Sequence, residues 1–137
     1  EPSSPFASYE DINSALELID NEKADTLLAM KEAEINTIFI HPLDEKGKLS
    51  YFYQEIKKLK DVRRQGQEKE FTMNGCMYIA RWDYFKENKL FHSNNSIPYI
   101  MSGEKSIEID SELNYEMACF LVERGVIRIE LWGNESE

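Results

Sequence analysis

The segment SYEDINSALELIDNEKADTLLAM, residues 8–30, joins a helix signal directly to a buried-strand signal, and few folds accept that order. Ser8 is placed to cap the amide of Asp11, and the early acids Glu10 and Asp11 suit the positive end of a helix. Ile12, Leu16 and Ile19 then repeat at helical spacing. The short apolar run ADTLLAM follows without the polar alternation of a half-exposed strand, as expected of a strand covered on both faces. Helix followed by buried strand is half of a β-α-β unit and predicts an α/β protein.

The rest of the chain extends this pattern. NTIFIHPL reads as a strand, DEKGK as a turn with Gly47 able to take positive φ, and LSYFY as a returning strand, so residues 36–53 are expected to form a hairpin. Residues 54–71 are polar with little periodicity and read as a loop with some helix. NGCMYIARW is an apolar run entered through the turn pair Asn74-Gly75. WDYFKENKLF reads as a short helix, NNSIPYIM as a loop leading into an extended segment, and SIEID as a strand. SELNYEMACFLVERG reads as a helix stopped by Gly125, and VIRIELW as an edge strand.

Composition narrows the function classes. The 137 residues fit one domain or part of one, and 42% hydrophobic content can bury a core. No run approaches the roughly 20 apolar residues needed to span a bilayer, and the polar, acidic start EPSSPFASYED does not read as a signal peptide. Cys76 and Cys119 sit in apolar runs without CxxC spacing, so they are expected to be buried free thiols in a reducing, cytoplasmic setting, with a disulfide as the alternative. A net charge of -10 argues against an electrostatic nucleic-acid binder. The charge is uneven: residues 47–90 carry 6 acids and 10 bases, centred on KKLKDVRR, whereas both flanks are strongly acidic. That island is either a solvated helix face or a site for an anionic substrate.

Three features could carry chemistry. Side chains alternate along a strand, so Glu108 and Asp110 share a face and the isoleucines beside them share the other. Two carboxylates on one face make a hard-oxygen site suited to magnesium, or simply a solvated strand face. Arg64 of RRQ could hold a carboxylate or phosphate with its fork of donors, or be a surface arginine. Asn74-Gly75 is most simply a turn, although an asparagine at a strand entry can also offer its amide to a sugar. His41 and His92 have no partner at ligand spacing, and there is no glycine-rich phosphate loop, nucleophile elbow or zinc pattern.

Four segments, in order, resemble the acylneuraminate cytidylyltransferases, the CMP-sialic acid synthetases. EPSSPFASYEDINSAL is similar to that family's QPTSPLR…DI…AL, and DEKGKL to its acidic turn before a strand. RRQ followed by NGCMYIA is similar to RRQ…NGAIYI, and IPYIMSGEKSIEIDSELNYEMA to YVMP…S.DIDTELD…AE. The resemblance implies part of a doubly wound, Rossmann-like mixed sheet of a nucleotidyltransferase, with a protruding hairpin. Residues 31–60 are then the candidate dimerisation excursion of a homodimer. It also implies the family reaction, attack of the anomeric hydroxyl of a nine-carbon 2-keto acid sugar on the α-phosphate of CTP. The products are a CMP-sugar and pyrophosphate, and Mg2+ is required with the nucleotide.

Carried over position by position, the resemblance gives Glu108 and Asp110 the metal-binding acids, and Arg64, Gln65 and Asn74 the acid-sugar side of the pocket. Ser3 and Ser4 take the family's TS at the pocket floor. Glu108 stands where the family usually has Asp, and Asn114 replaces the last Asp of TELD. The family's opening strand and phosphate-gripping ARGGSKG…KN loop have no counterpart here, so the similarity covers the family's C-terminal portion, residues 1–137, and this chain alone is expected not to turn over CTP. A Kdo-type sugar nucleotidyltransferase is the rival enzyme. A non-catalytic α/β interaction module is the rival from another class.

Overall fold

The structure is a computed structural model that describes residues 1–58 and 68–128. It is α/β, with a small mixed three-stranded sheet in the order β2-β1-β3, consistent with a Rossmann-like domain. Helix α1 spans Tyr9–Asn21, β1 Thr26–Glu32, α2 Ser50–Ile56, β2 Phe71–Ala80, α3 Trp82–Asn88, β3 Ser96–Ile100 and α4 Glu112–Glu123. Two compact units are distinguished: residues 1–31 with 73–137, and residues 32–72.

Helix α1 begins where the sequence predicts. Ser8 is extended and its hydroxyl accepts from the Asp11 amide, while the Asp11 carboxylate accepts from the Ser8 amide at 2.9 Å, which closes a capping box. The buried face, however, is Asp11, Ala15 and Ile19. Of the predicted apolar stripe only Ile19 is buried; Ile12 and Leu16 are exposed by 40% and 46%. The small Ala15 allows the helix to approach β1 closely, and the stripe turns by one position to present it. The helix ends at Lys23, whose φ of 51° is left-handed, with the Ala24 amide bonding Ile19 O and the Lys23 amide bonding Asp20 O. No basic residue lies in the last turn of α1. Arg81, from the end of β2, supplies the charge instead: its Nε donates to Ala24 O at 2.9 Å and its guanidinium donates to Asp20 Oδ1 at 2.8 Å.

Strand β1 is the centre of the sheet and its first four residues are buried, matching the ADTLLAM reading. It pairs with β3 in parallel, from Thr26 opposite Ser96 to Met30 opposite Ile100. Ala15, Ile19, Ala24 and Leu27 form one buried cluster, and Ala29, Cys76 and Met101 a second. Met77 and Tyr99 pack against both and join them. Cys76 is buried and Cys119 half-buried, and both are free thiols. No described helix is long and apolar enough to cross a membrane.

The segment 36–53 departs from its reading as a hairpin. Residues Thr37–Phe39 form a 3-10 turn capped by the Asn36 side chain, which accepts from the Ile38 amide. The Asp44 carboxylate accepts from the amides of Lys46 and Lys48 and from the Ser50 hydroxyl, and this knot launches α2 in place of a returning strand. The aromatic run SYFY favours a strand only where a neighbouring strand pairs with it; here local side-chain bonds decide. SIEID also differs. Glu104–Ser106 is a 3-10 turn, and the residues after it are extended without joining the sheet. The Ile109 amide donates to Ser3 O at 2.7 Å instead. Half of the loop read at 54–71, including most of the KKLKDVRR centre of the basic island, and most of the VIRIELW strand lie outside the described residues.

Leu27 is fully buried beneath α1. Leu27→Ala should lower the unfolding free energy by about 2–5 kcal/mol, read by urea denaturation with an unchanged denaturant slope.

Candidate functional site

Four of the residues singled out from sequence lie on segments that converge. Asn74, 3% exposed, sits in β2 just before Gly75, whose φ is 71°. A left-handed glycine inside a strand marks a bulge. The Asn74 side chain braces it twice. Its Oδ1 accepts from the Cys76 amide at 3.1 Å, and its Nδ2 donates to Ser106 Oγ at 2.8 Å. Ser106 passes the chain on, donating to Ser102 O at 2.7 Å. This buried run holds the 3-10 turn against the bulge, and Glu108 follows two residues later. A β-carbon added at Gly75 would lie 2.8 Å from Glu108 Oε1 and 3.0 Å from Oε2, so the Glu108 carboxylate rests directly on the glycine. Ser3 reaches the same segment through its carbonyl bond to Ile109.

Glu108 and Ile109 face apart, as read from SIEID, although the strand does not form. Glu108 faces Gly75, while Ile109 helps line a cavity of about 370 Å³ with Phe6, Tyr115, Ala118 and Cys119. Asp110 is exposed, just ahead of Ser111, whose hydroxyl accepts from the Asn114 amide and caps α4. Ser4 is 6% exposed and its buried hydroxyl has no hydrogen-bond partner among the described residues. Arg64 and Gln65 lie outside the described residues.

Sequence reasoning missed the second brace. Lys105 Nζ donates to Asp11 Oδ2 at 2.6 Å, and the Tyr99 hydroxyl donates to Asp11 Oδ1 at 3.2 Å. Burial pushes the Asp11 carboxyl up, but the Lys105 ammonium and the Ser8 amide and hydroxyl outweigh it and hold the carboxyl below its ordinary range. Burial, then the Asp11 charge, pushes the Tyr99 phenol above its ordinary value, so it stays a donor. The available signal was the cap itself: a carboxylate that closes a capping box still has lone pairs to spend. Nothing in the spacing of residues 11, 99 and 105 pairs them.

Among the described residues no group of three or more acids, histidines or cysteines could hold a metal. The pair expected from the sequence to hold one is Glu108 and Asp110. Glu108 is half-buried, and neither carboxylate has a hydrogen-bond or ion-pair partner among the described residues. Two carboxylates without partners among the described residues, on a short extended segment, have the chemistry that suits a hard cation taking most of its other ligands from water and phosphate.

No protein-family model matches the chain. It is 29% identical over 119 residues to the N-acylneuraminate cytidylyltransferase of Escherichia coli O18:K1:H7, across 86% of this chain and 27% of that protein. The chain's curated homologues include proteins named N-acylneuraminate cytidylyltransferase and CMP-N,N'-diacetyllegionaminic acid synthase. It is 27% identical over 122 residues to post-translational flagellin modification protein B of Campylobacter coli, across 89% of this chain and 50% of that protein. Over 59 residues it is 34% identical to the CMP-N,N'-diacetyllegionaminic acid synthase of Campylobacter jejuni, across 43% of this chain and 25% of that protein. The chain thus spans between a quarter and half of the length of these relatives.

Asp11 titrates lower in the folded protein than the unfolded value of about 3.9, so its contribution is fully present above that pH and fades as pH falls through the folded value. Asp11→Asn should cost about 1–2 kcal/mol at pH 7, discounted within that range because Lys105 is partly exposed. In urea titrations the gap between the two proteins should close below about pH 4.

Proposed function

We propose that this chain is part of a cytidylyltransferase that joins CTP to a sialic-acid-like, nine-carbon 2-keto acid sugar, releasing pyrophosphate and a CMP-sugar. The observation that carries the reading is the meeting of Asn74-Gly75 with Glu108, two segments far apart in sequence that resemble the same family. The names of the relatives support it, since two of them are an N-acylneuraminate cytidylyltransferase and a CMP-N,N'-diacetyllegionaminic acid synthase.

In this reading Glu108 and Asp110 would hold Mg2+ together with the nucleotide, and the chemistry such a metal would supply there is neutralisation of phosphate charge. Asn74 keeps the bulge in place and is the amide nearest the sugar side. Arg64 and Gln65 bind the sugar carboxylate, and Ser4 offers its unpartnered hydroxyl to the pocket floor beside Ser3. The reaction asks little covalent chemistry of the protein: orienting the sugar hydroxyl and excluding water carry the rate. The proposal includes a doubly wound sheet in the whole protein, residues 31–60 as a homodimer surface and a cytoplasmic location.

The test incubates the protein that carries this chain with CTP, Mg2+ and a panel of acidic sugars, and follows pyrophosphate release. Turnover is expected with a nine-carbon 2-keto acid, and Asp110→Asn should reduce it to background. Turnover with Kdo alone would move the protein to the Kdo-type enzymes. An Asp110→Asn variant as active as the parent would show the metal site to be misassigned.

A further inference from the structure

The contact between Gly75 and Glu108 is tighter than a turn requires. A β-carbon at residue 75 would approach three atoms of one carboxylate, Oε1 at 2.8 Å and Cδ and Oε2 at 3.0 Å, all inside normal van der Waals separation. Gly75 therefore leaves free a space that the carboxylate fills. Its left-handed φ of 71° makes the bulge, and a glycine adopts that conformation without steric cost. The backbone on both sides of the contact is braced: Asn74 holds the bulge and, through Ser106, the turn that leads to Glu108.

We infer that Gly75 is a positioning residue for Glu108, and that the glutamate at 108 is matched to the bulge in length. An aspartate there would end roughly one carbon–carbon bond short of the glycine, so its carboxylate would not rest on the bulge. The glutamate's added methylene carries the carboxylate onto a rigid backbone surface, which restricts its rotamers without a hydrogen bond. This deepens the proposed function and rests on it for the metal, but the packing relation stands on its own and is tested separately.

A double-mutant cycle separates the two. Gly75→Ala and Gly75→Asn each add the β-carbon, and asparagine tolerates the left-handed region better, so Gly75→Asn isolates the contact from backbone strain. Each is made in the parent and in the Glu108→Ala background, in the protein that carries this chain, and melting temperatures are compared. Gly75→Asn should lower the melting temperature by several degrees in the parent and hardly at all with Glu108→Ala. Folding of the double variant where the single variant fails would support the inference equally. Equal losses in both backgrounds, or failure of both to fold, would overturn the inference and leave Gly75 as a turn residue only.

The second readout is the Mg2+ concentration for half-maximal rate. It should rise about tenfold or more with Gly75→Asn, as for other residues that orient a metal ligand, and be unmoved by it in the Glu108→Asp background. A purely structural glycine would lower the amount of folded enzyme without changing that concentration. If no sugar is turned over, the functional reading fails while the melting cycle still decides the packing relation.

Discussion

The buried Asn74 amide bonds in two directions, to the Cys76 amide within its own strand and to the Ser106 hydroxyl on the turn that leads to Glu108. A buried amide without partners would cost about 1–3 kcal/mol, so the side chain holds whatever satisfies it. Here it holds a strand bulge and a 3-10 turn at once. The acids at 108 and 110 owe their location to this side chain more than to any strand of their own.

A second constraint acts on the same turn from the other side. Lys105 is tied to Asp11, which also caps α1 and accepts from Tyr99 of β3. One carboxylate thereby links the start of a helix, a strand and the turn before the candidate site. The two braces differ in kind. The Asn74 run is neutral and insensitive to pH, whereas the Asp11 cluster depends on ionisation. The acids that follow the turn are placed by the first and steadied by the second.

What is legible in the sequence follows how local each signal is. The capping box at Ser8, the buried run of β1 and the Gly125 stop of α4 are each decided within a few residues, and the structure forms them there. The true course of residues 36–53 is not legible, because strand propensity needs a partner strand, while Asp44 has bonds to offer closer by. SIEID gives opposite directions for Glu108 and Ile109, as the structure has them, and its ladder wrongly, since an extended backbone turns neighbouring side chains apart whether or not a strand pairs with it. Within the site, Asn74 and Glu108 can be found from resemblance. Gly75 reads from sequence only as a turn former, and the Asp11–Lys105 link depends on residues far apart along the chain.

The two ends of α1 answer to different parts of the chain. The N-terminal cap is written within three residues, so it can form as soon as the helix does. The C-terminal carbonyls are completed by Arg81, which arrives only with the far end of β2. A peptide cut to α1 would keep a tight first turn and fray at its last. In the intact protein the close of the helix is thus completed by a strand that follows it by some sixty residues of chain.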